Sequence, residues 1–112
     1  MDPQGLGELE QLALLAVLRL GDTAYAVSVR EEIQARTGRD VSRGAIYVTL
    51  DRMERKGYVR SKLGSPTPER GGKAKRLFTV AAPGQRALRA ALQGTQAMLE
   101  GLPPELAWKP PR

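Results

Sequence analysis

The chain contains no cysteine and no histidine. Without cysteine there can be no disulfide, no thiolate metal ligand and no cysteine nucleophile. Without histidine the commonest general base and the commonest metal ligand are missing too. Catalysis would have to rest on carboxylates, lysine or tyrosine, and no paired-carboxylate spacing points to such a site. Neither GxxxxGKS/T nor GxGxxG, the phosphate-cradling loops, occurs. The expectation is a protein that is not an enzyme and needs no metal or organic cofactor. Met1-Asp2-Pro3-Gln4 lacks the positive charge of a secretory leader. The longest apolar stretch, Leu12 to Leu18, is far too short to span a bilayer. No membrane partner and a cytoplasmic location are therefore expected.

What is present fits one soluble globular domain: 112 residues, 41% hydrophobic and 27% charged. The charge is unevenly placed. Between Arg52 and Arg76 lie nine basic residues, Arg52, Arg55, Lys56, Arg60, Lys62, Arg70, Lys73, Lys75 and Arg76, against the acids Glu54 and Glu69. That segment carries +7 where the whole chain carries +6, so the rest sums to −1. One basic patch on a near-neutral domain is the electrostatic footprint of a phosphate-backbone binder. A merely solvated basic face is the alternative at this point.

Leu6 to Leu20 reads as a first helix. From Leu12 onward its apolar residues cover nearly the whole circumference, so more than one side must be buried. One side can serve the domain core and another a partner subunit. Gly21-Asp22 ends it. Thr23 or Asp22 can cap a second helix, Ala24 to Arg36, in which Ala26, Val29 and Ile33 share a face. Gly38 suits the C′ position, and Ser42 suits the N-cap of a third helix, Arg43 to Lys56, closed by Gly57. Two helices joined by a short glycine-containing turn outline a helix-turn-helix. In the third helix Ile46, Thr49, Leu50 and Met53 point inward, which leaves Ser42, Arg43, Gly44, Tyr47 and Val48 on the open side of its first turns. Arg reaches guanine or phosphate, Tyr donates to phosphate, Val meets a thymine methyl, and Gly44 lets the backbone approach closely.

Alternation then replaces helical spacing. Tyr58 to Leu63 and Lys75 to Val80 read as two antiparallel strands joined by a long Pro- and Gly-rich loop. Arg70, Gly71, Gly72 and Lys73 in that loop, with Lys75 and Arg76, form a basic wing. The fold expected is mainly α with a small β-hairpin: a winged helix-turn-helix in the order α-α-α-β-β-α. Its parts are a DNA-binding domain at 1–82, a C-terminal dimerisation helix at 83–100 and a Pro-rich tail at 101–112. Pro83 suits a first helical turn. Leu88, Leu92, Thr95 and Leu99, widened by Ala91, form a stripe that must lie on something. With Leu9 and Leu12 of the first helix they make the candidate dimer interface. Trp108, the only tryptophan, reads as packing back on the dimer or as part of a disordered tail, with a ligand contact as the alternative.

At this point the sequence resembles the PadR family of bacterial transcriptional regulators. The likeness runs from Leu6-Gly7-Glu8-Leu9-Glu10 through Ala24-Tyr25-Ala26. It continues from Val41-Ser42-Arg43-Gly44 through Tyr47, Leu50 and Glu54 to Gly57, then through Pro68 to Arg76, and on to Pro83-Gly84-Gln85-Arg86-Ala87-Leu88. The resemblance implies a homodimeric winged-helix repressor that binds a near-palindromic double-stranded operator through helix three and the wing. It also brings Tyr25, at the start of helix two, into the candidate DNA-contacting set. A small-molecule effector is compatible with it. The alternative is a winged-helix module that binds protein or RNA. There are two departures from the family pattern. Ala26 follows Tyr25 where the family usually has Gly. Ala81 stands before the last helix in place of Thr, a lost cap of about 1 kcal/mol, so that helix is expected to begin loosely.

Overall fold

The computed structural model describes residues 6–64 and 74–106. Its elements are α1 (Glu8–Leu20), a 3-10 turn (Gly21–Thr23), α2 (Ala26–Thr37), α3 (Arg43–Arg55), β1 (Val59–Leu63), β2 (Arg76–Val80) and α4 (Ala82–Leu99). This is the expected α-α-α-β-β-α winged helix.

α1 begins where Glu10 folds back to accept the Gly7 N–H at 2.9 Å, which satisfies one of the helix's unpaired donors. Ala13, Leu14, Ala16 and Val17 are buried, whereas Leu12 and Leu15 are half-buried and Leu18 is exposed. The apolar circumference therefore divides: one arc enters the core and another is left uncovered by the chain itself.

The second helix starts at Ala26, two residues later than expected, and neither Asp22 nor Thr23 caps it. Thr23 Oγ1 instead donates to the Leu20 carbonyl at 2.6 Å, so this side chain closes α1. The opening N–H of α2, on Tyr25, goes to Ser28 Oγ at 2.9 Å. The residue between, Ala24, is fully buried and extended, and its carbonyl accepts the Phe78 N–H at 2.8 Å. That bond ties the start of α2 to the hairpin.

Ala26, Val29 and Ile33 form the buried face of α2, and Gly38 ends the helix in the left-handed region (φ 73°, ψ 0°). Ser42 Oγ accepts the Ala45 N–H at 3.1 Å and caps α3. Ile46, Thr49, Leu50 and Met53 are buried beneath it. Each fully buried aliphatic side chain here contributes about 1.5–3 kcal/mol. The strands pair antiparallel, with Val59 opposite Val80 and Ser61 opposite Phe78. Val59 and Phe78 face the core, while Arg60, Lys62 and Thr79 point the other way.

α4 has no side-chain cap at Ala81, but its start is not loose. The Ala81 N–H donates to the Tyr58 carbonyl at 2.9 Å. Gly84 sits so close to the Tyr58 backbone that a Cβ there would collide with the same carbonyl. These backbone contacts dock the start of α4, although they leave the first-turn N–H groups without a side-chain cap. Among the described residues no helix is long and apolar enough to cross a membrane.

Candidate nucleic-acid interface

The first turns of α3 stand clear of the core. Tyr47 and Val48 are 51% and 52% exposed, and Ser42, Arg43 and Gly44 are exposed around them. A Cβ at Gly44 would meet nothing within 4 Å, so the bare backbone there faces open space. Between α3 and the base of the hairpin runs a groove of about 440 Å³ lined by Tyr25, Tyr47, Asp51, Lys75, Arg76 and Phe78, among others. Lys75 lies over the Tyr25 ring, 4.3 Å from its centre, a cation–π contact that places the ammonium at the groove's edge. The groove thus brings Tyr25, Tyr47 and Lys75 together, while Ser42, Arg43 and Val48 are exposed on the first turns of the same α3. Arg70, Gly71, Gly72 and Lys73, together with Trp108, lie outside the described residues.

The basic residues are not equivalent. Lys56 donates to Glu10 Oε2 at 3.1 Å, and Glu10 is almost wholly buried. This pair joins the start of α1 to the end of α3. Burial pushes the Glu10 pKa up, but the Gly7 N–H, the Lys56 ammonium and the more distant Arg52 outweigh it, so the carboxyl titrates below its ordinary range. Arg76 is also engaged internally. Its Nη1 donates to Asp51 Oδ1 at 3.0 Å, its Nη2 to Glu54 Oε1, and its Nε to Ser61 Oγ at 3.0 Å. Ser61 Oγ in turn donates to Glu54 Oε2 at 2.7 Å. Among the described residues Arg43, Arg52, Arg55, Arg60 and Lys62 form no ion pair and stay available to an outside anion. Away from this face, Arg36 first and Arg19 second hold the Glu32 carboxyl below its usual range, tying α1 to α2.

The Arg76 network was not foreseen from sequence. Its signal was there: Asp51 and Glu54 are acids three apart on one helix, inside a segment otherwise rich in cations.

The expected dimer residues separate likewise. Leu88 is buried in the chain's own core; Leu9, Leu12, Ala91 and Leu99 are half-buried; Leu92 and Thr95 are exposed. Leu15, Leu18, Leu88 and Leu92 line an apolar groove of about 410 Å³ between α1 and α4.

No curated protein sequence matches the chain. Among solved structures it is similar to a PadR family transcription regulator from hypervirulent Clostridium difficile, at 18% identity and a TM-score of 0.69 over 82% of this chain and 91% of that one. A transcriptional regulator from Clostridium thermocellum is similar at 16% identity and a TM-score of 0.68 over 80% and 84%. A PadR-like transcriptional regulator from Bacillus cereus is similar at 18% and 0.62 over 84% and 93%. At such identities these likenesses establish the fold. The family model for PadR-like transcriptional regulators matches residues 14–90, from the core of α1 through α2, α3 and the hairpin into α4, and the chain belongs to that family.

Proposed function

We propose that this chain is a homodimeric repressor in the cytoplasm that binds a near-palindromic double-stranded operator through α3 and the hairpin. The observation that carries the reading is the two-faced third helix. Ile46, Thr49, Leu50 and Met53 are buried, while Arg43, Gly44, Tyr47 and Val48 are exposed beside a basic hairpin. An exposed Tyr and Val next to a bare glycine gain nothing in water. In a major groove they meet phosphate, base edge and thymine methyl. Arg43, Arg52, Arg55, Arg60 and Lys62, which form no ion pair among the described residues, supply the charge for the backbone.

The assembly part of the reading rests on the apolar groove between α1 and α4, with Leu18 46%, Leu92 41% and Met98 79% exposed around and beyond it. Exposed apolar residues on two neighbouring helices are covered when a second copy packs on them about a two-fold axis.

Titration against duplex DNA at several salt concentrations tests the binding. The logarithm of the association constant should fall linearly with the logarithm of salt, by about 0.9 for each phosphate neutralised. A flat dependence, or a preference for single-stranded RNA or a protein partner, would reject it.

A further inference from the structure

We propose that Arg76 is a positioning residue, a latch that fixes the hairpin against the recognition helix, and not a phosphate contact. The proposal rests on the DNA-binding reading above. By sequence Arg76 belongs to the basic wing; by geometry each nitrogen of its guanidinium donates inward. Nη1 meets Asp51, Nη2 meets Glu54 and Nε meets Ser61, while the guanidinium carbon lies 5.1 Å from the centre of the Phe78 ring. Ser61 closes the ring of bonds through Glu54. The network thus joins β2, β1 and α3.

The sign of the cluster decides against a phosphate role. One cation between two carboxylates leaves it at −1, which repels a phosphate. Asp51 and Glu54 both bond to the hairpin's Arg76, so without it two uncompensated acids would face the hairpin, with Asp51 in the groove itself. Arg76 therefore halves the charge of an acidic spot and sets the angle of the hairpin to α3. Isolated pairs at this exposure, 45% for Arg76 and 47% for Asp51, contribute little. A planar fork held by three acceptors on two elements is different, because it restricts direction as well as distance. Lysine, a point charge, cannot reproduce it.

The test uses the full chain and two probes: a duplex selected by the unmodified protein from a random pool, and an unselected duplex of the same length. If Arg76 is a latch, Arg76→Lys should lower the ratio of selected to unselected affinity by about tenfold, the scale of one misplaced base contact. Asp51→Asn combined with Glu54→Gln should lower the ratio similarly, although removing two acids would by charge alone tighten binding to any DNA. Combining all three changes should be no worse than either set. The Arg76 Nε–H should exchange slowly with solvent in the DNA-free protein, as seen by NMR, and quickly in the acid-side variant. The latch is overturned if Arg76→Lys keeps full selectivity, if Arg76→Gln lowers the salt slope by about 0.9 as loss of a phosphate contact would, or if the Arg76 Nε–H exchanges as freely as that of Arg60. If the unmodified protein shows no salt-dependent duplex binding, the underlying DNA reading fails instead, and the latch's role in selectivity falls with it.

Discussion

Gly84 and Glu10 show how much single positions can hold in a small domain. Gly84 lies against the Tyr58 backbone, which cannot move aside as a flexible side chain could. Gly84→Ala should destabilise the protein by about 1–3 kcal/mol, the usual penalty for overpacking, seen as a lowered midpoint in thermal unfolding. An unchanged midpoint would mean that α4 does not dock there. Glu10 works through charge. Its carboxyl titrates lower folded than unfolded, so its contribution is present above the unfolded pKa and is lost as pH falls through the folded one. Glu10→Gln should therefore be less stable than the unmodified protein at neutral pH, and the gap should narrow in acid. Denaturant melts at neutral pH and near pH 3 measure both; a gap that stays constant with pH would remove Glu10 from the acid response.

At the scale of elements, α3 should carry sequence reading and the charge around it general affinity. Arg43→Ala and Tyr47→Ala should each cost about 1–3 kcal/mol on a selected duplex and clearly less on random DNA, measured by fluorescence anisotropy. Equal losses on both would count against groove reading by this helix. Periodicity located α3 well, because its buried and exposed residues differ in kind and Ser42 and Gly57 mark its ends. The start of α2 was less legible. Thr23 offers a hydroxyl suited to a cap, but it was already bonded to the preceding helix, and only the fold shows which end it serves. The anchoring of α4 was hidden for a similar reason: it is held by the Tyr58 backbone, which the fold brings against Ala81 and Gly84, and not by a side-chain cap. Charge counting located the basic segment but treated its cations alike. Lys56 and Arg76 have acidic partners brought near by tertiary structure, and sequence distance alone does not reveal such pairs.

For the whole molecule, the proposed dimer would cover what one copy leaves open. One chain buries Leu88 but leaves Leu18, Leu92 and Met98 uncovered. Leu92→Glu should put a charge into the proposed subunit contact and yield monomers in analytical ultracentrifugation; an unchanged mass would contradict a contact there. A two-fold dimer would present two α3 helices about one DNA turn apart, roughly 34 Å. The most direct measurement is the selection of duplexes from a random pool by the purified protein, followed by sequencing. The account predicts enrichment of a near-palindrome whose half-sites are centred about 10 base pairs apart, or a multiple of that. Recovery of no enriched sequence, or of a single unpaired half-site, would contradict it.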